Sequence, residues 1–343
     1  MSLEDIARAL VAPGKGILAA DESTSTIKRR FDAIKVENTE DNRRAYRELL
    51  FRAPGAARYI SGVILYDETI RQKAADGTPL VQILSDQGIL PGIKVDLGAK
   101  PLAFRPGELV TEGLDGLRER LAEYRGLGAA FSKWRGVITI GNGIPTRGCI
   151  EANAHALARY AALSQEAGIV PIVEPEVLMD GDHSIDACYD ATLATLHAVF
   201  RELAGARVQL EGMLLKPNMV LSGSEAKERA SAQEVARRTV RCFMNAVPAA
   251  VPGVVFLSGG QSDEEATINL DAINRHAKQV GAPWQISFSY GRGLQAAPQK
   301  AWAGKSASVA AAQRAYLHRA KLTAAARQGE YTPAMEKEAA GAN

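Results

Sequence analysis

The stretch Leu214-Leu215-Lys216-Pro217-Asn218 puts a lysine at the end of an apolar run, just before a proline that cannot donate to a strand ladder. Lysine is rarely buried without a partner. A buried lysine loses the solvation of its ammonium, which favours the neutral amine, a nucleophile toward a carbonyl carbon. A lone lysine of this kind reads first as a side chain snorkelling out at a strand end. The residues at other strand ends change that reading. Asp21-Glu22-Ser23 closes one apolar run, and Glu174-Pro175-Glu176 closes another with two carboxylates on one face. Lys94 and Asp96 stand two apart in a third run, as Lys133 and Arg135 do in a fourth. Polar side chains inside apolar strands are costly unless they serve a purpose. An amine among carboxylates and further cations could form and hydrolyse an imine while protons move around it. The structural alternative is a ring of buried ion pairs, and Lys94 or Asp96 taken singly reads equally well that way.

A second group points to anions. Ser258-Gly259-Gly260-Gln261 leaves backbone N–H groups uncovered just before Ser262, and Ser289-Tyr290-Gly291-Arg292 does the same beside a guanidinium. Exposed amides, hydroxyls, a helix N-terminus and an arginine together make a phosphate cradle. Ion pairs alone would leave these glycines without a reason. The histidines His155, His183, His197, His276 and His318 show neither His-x-His nor i, i+4 spacing. No metal and no other cofactor is expected.

Eight short apolar runs must position these side chains: residues 16–20, 60–66, 92–96, 136–140 (beginning as early as 130), 169–174, 212–216, 254–258 and 285–288. Between them lie helical patterns over 38–51, 114–126, 150–167, 185–203, 231–245 and 263–280, with a last helix within 299–327. The run 80–84 reads as either helix or strand. Ser231-x-x-Glu234 and Ser262-x-x-Glu265 read as capping boxes. Gly168, Gly205 and Gly281 stand where left-handed helix ends would need them. Strands alternating with helices predict a parallel sheet, and eight is the number that closes a (β/α)8 TIM barrel. An open doubly wound sheet would call for a glycine fingerprint after the first strand, whereas Gly14-Lys15-Gly16 precedes it. In a barrel the strand ends meet at one mouth, and the loops after strands seven and eight are the usual phosphate position. One α/β domain over residues 1–343 is expected, with the barrel over about 14–295 and an extra C-terminal helix and tail over about 296–343.

Composition narrows the partners. Of 343 residues 46% are hydrophobic, enough for a large core. Lys plus Arg number 41 and Asp plus Glu 39, so the net charge of +2 gives no global pull toward nucleic acid or a membrane surface, and anion binding has to be local. Cys149, Cys188 and Cys242 lie far apart with no Cys-x-x-Cys pair, as buried thiols in a reducing compartment do. Met1-Ser2-Leu3-Glu4-Asp5-Ile6 does not read as a signal peptide, and no apolar run reaches the length of a membrane span. A cytoplasmic protein with neither a nucleic-acid nor a membrane partner is expected.

The motifs in order resemble class I, Schiff-base-forming fructose-bisphosphate aldolases from residue 14 to residue 333. They run from Gly14-Lys15-Gly16-Ile17-Leu18-Ala19-Ala20-Asp21-Glu22-Ser23 through Gly92-Ile93-Lys94-Val95-Asp96, Lys133-Trp134-Arg135, Val173-Glu174-Pro175-Glu176 and Leu214-Leu215-Lys216-Pro217-Asn218-Met219 to Ser287-Phe288-Ser289-Tyr290-Gly291-Arg292. The resemblance implies that Lys216 forms the Schiff base with the C2 ketone of a phosphorylated sugar, and that Glu174 is the acid–base residue of that imine. Asp21 and Lys133 would handle the C4 hydroxyl and the carbon–carbon cleavage, with Glu176 orienting Lys133. Ser258, Gly259, Gly260, Ser289, Gly291 and Arg292 would hold the C1 phosphate, and Ser23, Arg30, Lys94 and Arg135 would lie toward the second. A homotetramer working in glycolysis and gluconeogenesis is implied as well. The chain departs from the family at Leu97, where a lysine is usual, at Leu210, where histidine is more frequent, and at its Gly341-Ala342-Asn343 ending, where many animal members carry a tyrosine that reaches the site. Residues 336–340 read as a solvated end. The rival readings are a transaldolase-like Schiff-base barrel and a sugar-phosphate-binding scaffold.

Overall fold

The computed structural model describes residues 1–337; residues 338–343, including the Gly341-Ala342-Asn343 ending, lie outside the described residues. Eight parallel strands close into one barrel: β1 (Gly16–Ala20), β2 (Ile60–Leu65), β3 (Leu90–Lys94), β4 (Phe131–Ile138), β5 (Val170–Val177), β6 (Leu214–Leu215), β7 (Gly253–Phe256) and β8 (Gln285–Tyr290). The eighth strand returns to the first, with Ile17 opposite Ser289 and Leu18 opposite Tyr290. Helices follow the strands on the outside, and the expected TIM barrel is the fold found. No helix among the described residues is long and apolar enough to cross a membrane.

The two-residue period of a strand explains how this barrel carries a site. Its lower interior is filled by Ile17, Ala19, Ile64, Phe131, Val170, Ile172, Leu214 and Val255. Two residues beyond this apolar layer the same strand faces present Asp21, Lys133, Glu174 and Lys216. The helix Leu3–Leu10, held by a Ser2/Asp5 capping box, plugs the bottom with Ile6, Ala7 and Leu10. Gly92 is required by packing: a Cβ there would sit 2.3 Å from the Phe131 ring, which fills the barrel axis.

Several local expectations differ from the structure. Run 80–84 is a helix, Leu80–Ser85. The third run begins earlier, at Leu90, and Asp96 lies in the loop beyond it; the sixth keeps ladder pairing only at Leu214–Leu215, although Lys216 N–H still donates to Val173 O at 2.8 Å. Ser231 and Ser262 do cap their helices, but Glu234 and Glu265 bond to Arg238 and Arg229 instead of reaching back. Gly168 and Gly281 are left-handed, whereas Gly205 stays helical and Arg207 takes the left-handed turn at φ 57°. The last helix is two, Arg292–Trp302 and Val309–Gln328, broken at Ala303-Gly304, so helix follows β8 directly. The short helix Thr24–Ala33 and a hairpin, Ala99–Pro101 with Leu109–Thr111, carry no strong periodicity and were not legible in the sequence.

Glu336 is not solvated in the way expected for residues 336–340. It pairs with buried Arg319 at 2.6 Å and accepts from the Tyr331 hydroxyl at 3.0 Å. Arg319 also donates to Asp263 O and Thr267 Oγ1, which straps the turn Pro333–Lys337 to the first turn of the helix Asp263–Val280. Ending the chain after Lys337 is expected to leave turnover within a few-fold. Glu336→Gln strands a buried cation and is expected to lower the thermal midpoint by about 2–4 °C. Calorimetry checks this, and an unshifted melt would show that the strap adds no stability.

Candidate active site

The mouth of the barrel is a cavity of about 840 Å³ into which strand ends from β1, β3, β4, β5, β6, β7 and β8 contribute. Lys216, at the end of β6, is 4% exposed, and its Nζ stands 3.2 Å from Glu174 Oε1 on the neighbouring β5. Glu174 Oε2 lies 3.4 Å from Lys133 Nζ and is buried without a hydrogen bond. Lys133 is the hub: Asp21 Oδ2 is 2.9 Å away and Asp96 Oδ2 is 3.7 Å away. Asp96 also pairs with Lys94 at 2.8 Å. Three cations, Lys94, Lys133 and Lys216, thus alternate with three carboxylates, Asp21, Asp96 and Glu174, in a cluster without net formal charge.

That arrangement sets the protonation states. Burial pushes the Asp21 carboxyl up, but Lys133 and Lys216 together outweigh it and hold Asp21 well below the usual carboxylate range. Burial likewise works against the Lys133 ammonium, and Asp21, Glu174 and Asp96 overcome it to keep that pKa above the ordinary lysine value. Asp21 is therefore held as a carboxylate and Lys133 as an ammonium, a cation placed where it could stabilise developing negative charge.

All the expected site residues except Gly260 line this cavity. Gly260 faces away, where a Cβ would meet Met179 Sδ at 3.3 Å. On the β7/β8 side, Ser258 and Ser289 are buried, and the Ser289 hydroxyl has no hydrogen-bond partner. Gly291 lines the cavity and opens the helix Arg292–Trp302, and Arg292 spans the gap between loops by donating to Gly259 O at 2.9 Å and Gln261 O at 2.8 Å. A hydroxyl, free amides, a helix N-terminus and a guanidinium can take a phosphate. Lys94 and Arg135 stand across the mouth on β3 and β4.

Two expected placements are corrected. Glu176 pairs with Arg135, not with Lys133. The two residues share a face of adjacent strands, where register brings Val137 opposite Glu176, while Lys133 lies one layer deeper opposite Ile172. Arg30 does not lie with Lys94 and Arg135: it comes within 3.7 Å of the Cβ position of Gly291. Barrel closure sets β1 beside β8, so the helix Thr24–Ala33 after β1 delivers Arg30 to the β8 side. Ser23 lines the cavity and also caps that helix by accepting from Thr26 N–H at 3.4 Å.

Two buried acids were not singled out in the sequence as site residues. Asp96 completes the cation–carboxylate cluster, signalled only by its spacing from Lys94. Glu22 points away from Asp21, as alternation demands, and binds Arg30, Arg47 and Gln295. Gln295 also donates to Ala19 O at 2.7 Å, tying the helix after β8 to the end of β1. Of the departures, Leu97 sits exposed at the rim, and Leu210 precedes β6 at the far end of the barrel. The three cysteines are buried free thiols.

Residues 2–343 match the family described as fructose-bisphosphate aldolase class-I, glycolytic. The chain is 57% identical over 336 residues to a probable fructose-bisphosphate aldolase class 1 of Xanthomonas campestris pv. campestris, covering 96% of this chain and 99% of that protein. It is 54% identical over 319 residues to the cytosolic fructose-bisphosphate aldolase 4 of Arabidopsis thaliana, covering 93% and 81%. Among solved structures, fructose-bisphosphate aldolase from Plasmodium falciparum, in complex with TRAP and a small-molecule inhibitor, superposes with a TM-score of 0.94 at 50% identity, covering 96% of this chain and 95% of that one.

Proposed function

The chain belongs to the class I fructose-bisphosphate aldolase family, carbon–carbon lyases of glycolysis, and we propose that it cleaves fructose 1,6-bisphosphate reversibly to dihydroxyacetone phosphate and glyceraldehyde 3-phosphate through an imine on Lys216. The observation that carries this reading is the buried Lys216 amine 3.2 Å from Glu174, whose second oxygen lacks a hydrogen bond. Lys216 passes its ammonium proton to Glu174, 3.2 Å away, and the neutral amine adds to the C2 ketone; Glu174 then gives that proton to the carbinolamine hydroxyl, which leaves as water. The protonated imine is the electron sink that cleavage beta to a carbonyl needs. Asp21, held ionised, takes the C4 hydroxyl proton; the C3–C4 bond breaks, its electrons pass into an enamine, and the aldehyde product departs. Lys133, held protonated, stabilises the C4 oxygen as charge develops. Protonation of the enamine at C3 and hydrolysis of the imine return Lys216.

Arg292, Ser258, Ser289 and the amides at Gly259 and Gly291 bind the C1 phosphate in this proposal, with Arg30 close by, and Lys94 and Arg135 face the second phosphate. Arg292→Ala is expected to raise KM by about 10- to 100-fold while imine formation at saturating substrate stays within a few-fold. An unchanged KM with a collapsed kcat would remove Arg292 from the phosphate site. The overall reading is tested by steady-state rates on fructose 1,6-bisphosphate, fructose 1-phosphate and sedoheptulose 1,7-bisphosphate, each with and without chelator. Absence of bisphosphate cleavage, or cleavage abolished by chelator, would overturn it. We propose further that the protein works as a homotetramer in the cytoplasm, a reading supported by its cytosolic relatives, and sedimentation of the intact protein tests the assembly.

A further inference from the structure

A second cavity, of about 300 Å³, lies at the end of the barrel opposite the mouth, between the start of β8, the segment before β1 and the C-terminal ends of the helices Asp263–Val280 and Val309–Gln328. Pro13, Trp284 and Ile286 give it an apolar wall; Lys278 and Arg327 give it a cationic one, and no aspartate or glutamate lines it. Arg327 is 5% exposed. Its Nη2 donates to Val11 O and, at 3.3 Å, to Gln285 Oε1, while its Nε–H is buried with no acceptor. Lys278 Nζ donates to Gln328 O at 2.6 Å.

A buried guanidinium without a counter-charge is costly. The other buried cations among the described residues meet carboxylates: Arg47 meets Glu22, Lys133 meets Asp21, Lys216 meets Glu174 and Arg319 meets Glu336. Arg327 has no such partner among the described residues, and burial alone pulls its pKa down to about 10. The carbonyls at the two helix ends would repel an anion, but Ala277 O is taken by Ala282 N–H and Gln328 O by Lys278. What is left is a hollow with an indole and aliphatic wall, lined by two cations, Lys278 and Arg327, and by no carboxylate.

We propose that this cavity binds a small organic anion, a carboxylate or phosphate monoester whose oxygens meet Arg327 and Lys278 and whose apolar body rests on Trp284 and Ile286. The site is separate from the catalytic mouth and does not depend on the proposed reaction. Because Trp284 forms its wall, tryptophan fluorescence reports occupancy directly. Intact protein is titrated with benzoate, phenyl phosphate and uncharged benzamide, with calorimetry alongside. Saturable quenching by at least one of the anions and none by benzamide is expected, and the stronger anion distinguishes carboxylate from phosphate recognition. The signal should vanish in Trp284→Phe. Exposed Lys278 can change without loss of fold, and Lys278→Ala should weaken binding at least about tenfold with turnover on fructose 1,6-bisphosphate within twofold. Arg327→Gln should weaken it further. No saturable binding, equal binding of benzamide, an affinity unchanged in Lys278→Ala, or quenching abolished by Arg292→Ala would each overturn the proposal.

Discussion

Lys216→Met is expected to cut turnover on fructose 1,6-bisphosphate by at least about 10⁴-fold, the scale seen when a covalent nucleophile is removed. Methionine is similar to lysine in length and has no charge to desolvate. Glu174 keeps Lys133 at 3.4 Å when Lys216 is gone, so no carboxylate is left without a cation and the fold should survive. Circular dichroism and thermal melts check that point. The chemical test is borohydride reduction in the presence of dihydroxyacetone phosphate: a lysine imine is reducible, and a metal-held enediolate is not. Wild-type protein should be inactivated irreversibly with the three-carbon unit on Lys216 alone, as mass spectrometry of its peptides reads out. The Met variant should take no label. Glu174→Gln should bind substrate yet form the imine slowly, since dehydration of the carbinolamine loses its proton donor. Label on Lys133 or Lys94 would reassign the nucleophile, and an enzyme indifferent to borohydride would sink the imine mechanism.

Lys133→Met is the second variant with a large expected effect, and it should act on both chemistry and stability. Lys133 touches Asp21, Asp96 and Glu174, so its removal leaves three carboxylates, two of them buried, facing two cations. Breaking a buried pair from one side costs about 3–5 kcal/mol. Turnover should fall by about 10²–10³-fold, the size of a lost electrostatic stabiliser of developing charge. The pH dependence fixes the cause. In the wild-type protein the Asp21 pKa is depressed, so it contributes stability above about pH 4, the unfolded carboxyl's value, that is lost as pH falls through the folded value. Without Lys133, burial and the neighbouring carboxylates move that pKa upward. The stability deficit of the variant should then be greatest near neutrality and narrow as pH falls toward about 4. Denaturant titrations of both proteins at several pH values measure it. A deficit that widens on acidification would show that lost packing, not unbalanced charge, causes the destabilisation.

Much of this molecule is legible one residue at a time. Runs such as Gly16–Ala20 and Ile60–Leu65 declare strands by their apolar content, and their alternation with amphipathic stretches declares a parallel barrel. The period of two also places Lys133 above Phe131, Glu174 above Ile172 and Lys216 above Leu214, because alternation is a property of the backbone alone. That is why the mouth residues could be named before any coordinates. Their partners could not. Glu176 meets Arg135, Arg30 turns to Glu22 and the β8 side, Asp96 joins the Lys133 cluster, and the tail folds Glu336 onto Arg319. Among the described residues Arg327 remains without a carboxylate for the same reason. Each of these pairings depends on the stagger between neighbouring strands, on the closure of β8 against β1 and on where loops between distant helices land. A side chain's type and face are set by its own strand; the charge it meets is set by chain segments that only the closed barrel brings within a few ångströms.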